Sequence, residues 1–359
     1  MQQRWPLDIS VSFDPYFGEP SRDGEQGAEI LPDGRVFFRI PAPQAQEVTI
    51  DRFGTLYPLT RNADGVWEAT LDLGRGFIYF FLKIDGADVL CPYLPIGYGC
   101  CRPMNFVDVP EEDMKGWDDL ENIPHGAVTR HYVPSSVTGK HEICLVYTPP
   151  AFDPARTYPV LYLQHGYGEN ETGWVYQGHV GRIADRLLAD GQMQEMLIVM
   201  GNGMTRMPGC EDRTLFPQVL LHDLMPFVES RYPVIQDKWH RAMAGLSMGS
   251  YQTSMTTLSH PDLFGYAGLF SGFLRSPFPS DQAEPHLEIL NHPDRFNAAF
   301  RVFYRAMGTG DQFWDSFDRD DHFLEGRQLN IRRDTFPGGH DWTVWRRCIH
   351  AFLPLLFRD

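Results

Sequence analysis

No run of about 18 apolar residues occurs in this chain, so it offers no candidate for a membrane-spanning helix. Its start, MQQRWPLDIS, lacks the apolar core of a secretion signal. The expectation is a cytoplasmic protein, or a secreted one whose signal is absent from this chain. Cysteine is scarce and unpatterned. Cys91, Cys100, Cys101, Cys144, Cys210 and Cys348 form no C-x-x-C pair and no metal-ligand spacing with histidine, which argues against a redox dithiol or a zinc site. Cys144 and Cys348 lie in apolar patterns as buried thiols. Cys91, Cys100 and Cys101 share one loop region and pair there only if oxidised; free thiols are expected. Positive charge is also short, with 31 Lys and Arg against 47 Asp and Glu and a formal net charge of −16. Such a surface repels nucleic-acid phosphates and anionic lipid, so neither is an expected partner, and neutral substrates are favoured over polyanions. Internal repeats and low-complexity tracts are absent.

What is present suits a folded, two-part protein. Hydrophobic residues make up 43% and charged residues 22% of 359 residues, which is too long for one ordinary domain. Residues 28–90 read as short strands between turns. VFFRI (36–40), EVTI (47–50), VWEATLDL (66–73) and FIYFFLKI (77–84) are separated by Pro, Gly, Asn and Asp, the pattern of an antiparallel β-sandwich. Residues 91–125, rich in Pro, Gly and charge, read as loop. From 141 onward, buried-looking strands (142–148, 159–164, 196–201, 241–246, 301–308) alternate with helical stretches (181–190, 216–232, 342–356), which predicts a mostly parallel sheet covered on both faces. The expected fold class is α/β: an α/β-hydrolase domain over 130–359, preceded by a small all-β immunoglobulin-like domain over 1–105 and a linker over 106–129.

Gly245-Leu246-Ser247-Met248-Gly249 fits G-x-S-x-G. It follows an apolar run and precedes a helical stretch, the context in which a sharp strand-to-helix turn exposes a serine hydroxyl at a helix N-terminus. The bland alternative is a helix-capping serine in a Gly-rich turn. A nucleophilic serine needs a base, and in this fold the order is serine, acid, histidine. His340 lies in PGGHDW, on a loop between a strand-like segment (331–336) and the last helix. The other late histidines fit less well: His350 falls inside the helix, His322 in a charged run and His292 beside a proline. Asp311, in MGTGD at the end of strand 301–307, is the matching acid. Asp315, Asp318, Asp320 and Asp321 read as a solvated charged face, and Asp341 is poorly placed to accept from the neighbouring imidazole. The turn Gln164-His165-Gly166-Tyr167-Gly168 follows strand 159–164, where the first oxyanion donor belongs. The backbone N–H groups of Tyr167 and Met248 are the candidates, with His165 packed beneath. Trp174, Tyr176, Phe313 and Trp314 flank these loops and suggest an aromatic-lined acyl site.

Several of these segments together, HGYGENETGWVYQG (165–178), IVMGNGM (198–204), AGLSMGS (244–250) and PGGHDWTVWRRCIHAFLPLLF (337–357), resemble carbohydrate esterase family 1 over about residues 130–357. That family includes feruloyl esterases, acetylxylan esterases and mycolyltransferase relatives, with siderophore esterases related. VFFRIPAPQAQEVTI and PLTRNADGVWEATLDLGRGFIYFFLKIDG resemble E-set, family-48-like carbohydrate-binding modules. The resemblance implies Ser247, Asp311 and His340 as a catalytic triad and Tyr167 and Met248 as oxyanion donors. Ser250 departs from the family, where a glycine is common, and is expected to affect helix packing. The implied activity is a serine carboxylesterase acting on feruloyl esters of plant cell-wall polysaccharides, needing no metal or organic cofactor. Acetylxylan esterase and siderophore esterase are the alternatives, and a glycan-binding protein with an inactive hydrolase domain is the non-enzyme reading. Feruloylated or acetylated oligosaccharide or polysaccharide is the expected partner. Trp174, Trp314 and Tyr98 are further candidates for substrate contact. The module is expected to be structural, with Trp67 in its core; the 91–105 loop, bearing Tyr93, Tyr98, Arg102 and Asn105, is expected to lean over the active site.

Overall fold

The computed structural model describes residues 27–205, 215–277 and 283–358; Cys210 and the first ten residues lie outside them. The chain divides into two compact units, Met1–Lys115 and Gly116–Asp359.

The described part of the first unit is β-structure apart from a single 3-10 turn at Glu112–Met114. Its strands are β1 (Gly27–Ile30), β2 (Val36–Pro41), β3 (Val48–Arg52), β4 (Thr55–Pro58), β5 (Thr60–Arg61), β6 (Val66–Leu71), β7 (Gly76–Ile84), β8 (Ala87–Val89), β9 (Ile96–Gly99) and β10 (Arg102–Val109). They form one sheet in the order β1-β2-β6-β5 and another in the order β4-β3-β7-β10-β9, with β8 paired to β7. Alternation dictates the packing. Val36, Phe38 and Ile40 of β2 and Ile78, Phe80 and Leu82 of β7 turn into one core shared by both sheets. The rings of Phe38 and Phe80 meet edge to face at 5.6 Å. Trp67 is buried there too, its indole N–H donating to the Ala42 carbonyl at 2.9 Å.

The segment 91–125 is not all loop as expected. It holds β9 and β10, and β10 pairs with β7 from Asn105 opposite Phe80 to Val109 opposite Gly76. Met104, Phe106, Val107 and Val109 are buried, so four apolar side chains outweigh the turn-like composition around them. Asn105 is also buried, and its amide clasps the neighbouring loop. It accepts from Cys91 N at 2.8 Å and donates to Cys91 O at 2.9 Å. That fixes Asn105 as a loop clasp rather than a substrate contact. Arg102 pairs with Asp88 at 3.2 Å and lies over the Phe81 ring.

The second unit holds β11 (Ala127–Pro134), β12 (His141–Thr148), β13 (Val160–Gln164), β14 (Leu197–Gly201), β15 (Arg241–Leu246), β16 (Tyr266–Phe270), β17 (Val302–Gly308) and β18 (Arg332–Phe336). They form one sheet in the order β11-β12-β14-β13-β15-β16-β17-β18. The pairs β11–β12 and β12–β14 are antiparallel and the rest parallel. Strands β13 to β16 are buried along their whole length, as expected of strands with helices on both faces. Ala267 and Leu269 of β16 pack with Leu258 of the helix Met248–Ser259 and with Phe296. The alternating positions face the other side, where Phe270 meets Phe352 of the C-terminal helix Trp342–Phe352 at 5.5 Å. Edge strand β11 and core strand β16 carry no clear alternation in sequence and were not expected.

The stretch 216–232 is not one regular helix. It is α-helical over Leu215–Val219, widens to a π turn over Leu220–Leu224 and resumes over Met225–Arg231. Pro226 sits at the start of the last piece. Its ring would collide with the carbonyl four residues back in a regular helix, and the wider turn relieves this. Asp223 in the π turn accepts hydrogen bonds from the Ser135 and Ser136 hydroxyls at 2.5 and 2.7 Å.

The acidic run 315–321 is only partly a solvated face. Asp320 is 1% exposed; it accepts from Leu274 N at 3.1 Å and Arg275 Nε at 2.7 Å. Arg305, fully buried on β17, donates to Asp321 at 2.6 Å and lies 3.8 Å from Asp320. The buried Arg305 guanidinium, facing a buried and a half-buried carboxylate, therefore pins the helix Trp314–Leu324 to the sheet. Replacing Asp320 by Ala leaves the Leu274 N–H and the Arg305 charge short of a buried partner. Asp320→Ala is expected to lower unfolding stability by about 3–5 kcal/mol in urea titration, whereas the exposed Asp318→Ala changes it by less than about 0.5 kcal/mol.

Candidate active site

Ser247 stands at the C-terminal end of β15 with φ 51° and ψ −117°, a left-handed conformation that a non-glycine residue adopts only when its surroundings impose it. The flanking glycines show what imposes it. A Cβ on Gly245 would lie 2.5 Å from the Gly249 carbonyl oxygen, and one on Gly249 would lie 2.5 Å from the His165 carbonyl oxygen. The turn is thus too tight for any side chain at either position. Ser247 N donates to Phe270 O at 2.9 Å, which ties the turn to β16. The helix Met248–Ser259 starts at the next residue; Ser250 N and Tyr251 N donate to Ser247 O at 2.9 and 3.3 Å, while the N–H groups of Met248 and Gly249 have no acceptor within the helix. Ser250, the departure from the family pattern, is fully buried. Its hydroxyl donates to Ser247 O at 2.7 Å and accepts from Phe273 N at 2.8 Å, binding the first helical turn to the segment after β16.

The imidazole comes from the loop after β18. His340 Nε2 lies 2.9 Å from Ser247 Oγ, and His340 Nδ1 lies 2.8 Å from Asp311 Oδ2. A carboxylate only accepts, so Nδ1 carries the proton and Nε2 presents its lone pair to the serine hydroxyl. Phe313 and Trp345 hold the ring edgewise at 5.0 and 5.2 Å. Asp311 follows β17 in a turn closed by its own N donating to Gly308 O at 3.1 Å, and Gly310 N donates to Gly338 O at 2.8 Å, which anchors the histidine loop. Its carboxylate is fully buried, and Oδ1 accepts from Phe313 N at 2.9 Å. Burial pushes this carboxyl's pKa up. The hydrogen bond and charge of His340 outweigh that, joined by the Phe313 N–H and a hydroxyl from Ser271, and hold it below the usual carboxylate range. Asp341 does not face the imidazole. It caps the C-terminal helix, accepting from Val344 N and Gly339 N, each at 3.0 Å.

The turn after β13 lies against Ser247: a Cβ on Gly166 would sit 3.3 Å from Ser247 Cβ. Tyr167 is 68% exposed beside it. His165 is buried beneath, as expected. Its Nε2 accepts from Gly203 N at 2.9 Å, so Nδ1 carries the proton and donates to Gly166 O at 2.8 Å. Burial pushes this imidazole down to about 4, so it is a neutral prop for the turn at ordinary pH.

The aromatic candidates separate. Trp174 is 1% exposed, donates to Gln164 O at 2.9 Å and packs against Phe270 and Trp342, so it is a core residue and not a substrate contact. Trp314 is half-buried at the start of its helix, against Phe317. Tyr98 belongs to the first unit, where its carbonyl accepts from the Tyr79 hydroxyl at 3.0 Å. His350 stacks on Trp117 at 3.7 Å, and His322 is exposed, as is His292. Among the described residues, no group of three His, Cys, Asp or Glu is arranged to hold a metal ion. Sequence reasoning missed Ser271 and Trp345. Trp345 Nε1 donates to Ser271 Oγ at 2.9 Å, and Ser271 lies 2.7 Å from Asp311 Oδ2. Ser271 falls in none of the motifs, and Trp345, though within the 337–357 segment, looks there like one more apolar residue of the last helix.

The profile of the family described as "Putative esterase" matches residues 135–356. The chain belongs to this esterase family. It is 32% identical to the endo-1,4-beta-xylanase/feruloyl esterase of Xylanibacter ruminicola, a match that takes in 94% of this chain and 47% of that protein. The chain therefore spans about half the length of that curated relative. A solved ferulic acid esterase shares 26% identity with a TM-score of 0.57, over 65% of this chain and 97% of its own. The enterobactin esterase FES of Shigella flexneri is 17% identical with a TM-score of 0.68, over 92% of this chain and 96% of its own, a likeness of fold. With the mixed sheet and its helices, these relatives identify the fold of the second unit as α/β-hydrolase-like.

Two acid-range transitions follow from the site. His165 has a folded value of about 4, below the roughly 6.5 of an unfolded chain, so its contribution to stability is complete above about pH 6.5 and is lost as pH falls toward 4. Asp311, also depressed, contributes above the unfolded carboxylate value of about 3.9 and loses that contribution at lower pH. Thermal melts from pH 7 to pH 3 are expected to show a flatter upper limb in His165→Asn and a flatter lower limb in Asp311→Asn than in the unsubstituted protein.

Proposed function

We propose that this chain is a serine carboxylesterase that hydrolyses feruloyl esters on plant cell-wall polysaccharides or oligosaccharides. The observation that carries the chemistry is the run of two hydrogen bonds, 2.9 Å from Ser247 to His340 and 2.8 Å from His340 to Asp311. The substrate class is supported by the Xylanibacter ruminicola relative and the solved ferulic acid esterase. In this reading His340 Nε2 takes the Ser247 proton as Oγ attacks the ester carbonyl. The oxyanion is held by the N–H groups of Tyr167 and Met248, the first from the turn beside Ser247 and the second from the start of the following helix. His340 then returns the proton to the departing sugar alcohol. A water, activated by the same imidazole, releases ferulate from Ser247. Asp311 keeps its charge throughout and stabilises the imidazolium. Tyr167 and Trp314 are the side chains proposed to meet the acyl group. The first unit is read as an immunoglobulin-like module of structural role, in keeping with its buried Trp67.

One observation favours a second reading. The enterobactin esterase fold is matched over 92% of this chain, whereas the ferulic acid esterase is matched over 65%. A siderophore esterase is therefore the alternative, with acetylxylan esterase behind it. A panel of methyl ferulate, acetylated xylan and a catecholate trilactone separates them, and the expected result is the highest kcat/KM on methyl ferulate. Ser247→Ala is expected to lower kcat by about 10⁴-fold or more with an unchanged melting temperature. A fluorophosphonate probe is expected to label the unsubstituted protein and not this variant; an unlabelled, inactive unsubstituted protein would favour the glycan-binding reading.

A further inference from the structure

Ser271 is a buried polar residue that no motif announces. It follows β16, is fully buried and holds φ 43°, a conformation that favours glycine. A serine kept there implies a use for its hydroxyl. That hydroxyl has two partners within reach: the Trp345 indole nitrogen at 2.9 Å and Asp311 Oδ2 at 2.7 Å. An indole N–H can only donate, so it occupies an acceptor lone pair of the Ser271 oxygen. A carboxylate can only accept, so the Ser271 proton goes to Asp311. The direction of every bond is then fixed by a donor-only indole at one end and an acceptor-only carboxylate at the other. Trp345 donates to Ser271, Ser271 donates to Asp311, and His340 Nδ1 donates to the same Oδ2. This leaves His340 Nε2 as the acceptor facing Ser247.

We propose that Ser271, oriented by Trp345, is a positioning residue that sets the rotamer and charge of Asp311 and through it the tautomer of His340. The inference rests on the triad reading above. Two features of the fold make it mechanical. Trp345 is buried in the first turn of the C-terminal helix, and that helix is capped by Asp341, directly after His340. The same short stretch therefore carries both the imidazole and the indole that orients its acid. On the other side, Phe273 N donates to Ser250 Oγ, which bonds Ser247 O, so the segment bearing Ser271 is also tied to the nucleophile turn. Ser271 thus lies where the bonds from nucleophile, acid and base close on one another.

The test uses the full chain with Ser271→Gly, Ser271→Ala, Trp345→Phe and the double variant Ser271→Gly/Trp345→Phe. Glycine accepts the backbone conformation, so Ser271→Gly removes the hydroxyl without adding strain and is expected to melt no lower than Ser271→Ala. On methyl ferulate, Ser271→Gly is expected to lower kcat about tenfold, the loss of one charge-assisted hydrogen bond, with KM within about twofold. The rate of fluorophosphonate labelling of Ser247 is expected to fall in parallel. Trp345→Phe keeps a ring but loses the donor and is expected to act in the same direction. Because the indole acts through the hydroxyl, the double variant is expected to be no slower than Ser271→Gly. The proposal is overturned if a folded Ser271→Gly labels and turns over at the unsubstituted rate, or if the two effects multiply. An unsubstituted protein that neither labels nor hydrolyses any ester would instead overturn the triad reading on which the proposal rests.

Discussion

The tight turn at Ser247 is the constraint on which the rest of the site depends. A residue held at φ 51° between a buried strand and a buried helix stays there only because neighbouring backbone leaves it nowhere else to go. Gly245 and Gly249 permit that approach, Phe270 O holds the serine N–H, and Ser250 fastens the helix start. The helix behind the turn is itself buried and rich in hydroxyls. Thr253, Thr256 and Thr257 each return a hydrogen bond to the carbonyl four residues earlier, at 2.7–2.8 Å. Small self-satisfied side chains let the helix lie close to the sheet, which the glycine contacts require.

The three side chains that meet in the candidate site, Ser247, Asp311 and His340, were legible in the sequence because each sits in a local pattern with a mechanical meaning. G-x-S-x-G describes a turn, MGTGD ends a strand and PGGHDW opens a helix. The residues that orient them were not legible, because their partners are distant in sequence. Ser271 and Asp311 are 40 residues apart, and Ser271 and Trp345 are 74 apart. Trp174 misled for the opposite reason. An aromatic next to a catalytic loop reads as pocket lining, yet its indole N–H was needed to satisfy the buried Gln164 carbonyl. Asp320 misled in the same way: a run of acids looks solvated until the fully buried Arg305 beneath it is seen.

The first unit shows how composition hides a strand. Arg102–Val109 begins with Arg-Pro and sits among prolines and glycines, but its register against β7 buries Met104, Phe106, Val107 and Val109. Asn105 falls in the middle of that apolar series and looks like a loop residue. Its amide bonds both backbone groups of Cys91, accepting from the N–H and donating to the carbonyl, so a polar side chain stabilises the strand it seems to interrupt.

The groups that meet at Ser247 leave the sheet from five neighbouring strands, β13, β15, β16, β17 and β18, all at their C-terminal ends. Ser247 and His340 are 93 residues apart, and the bond between them joins segments separated by three further strands, β16, β17 and β18. High contact order of this kind delays assembly: the loop entropy of β16, β17 and the last helix must be surrendered before imidazole and hydroxyl can meet. A folding intermediate that has completed only the sheet as far as β15 would lack the Phe270 carbonyl that holds the Ser247 N–H as well as the segments that carry Asp311 and His340. The hydrogen bonds that join Ser247, His340 and Asp311 would therefore be among the last native contacts to form on refolding.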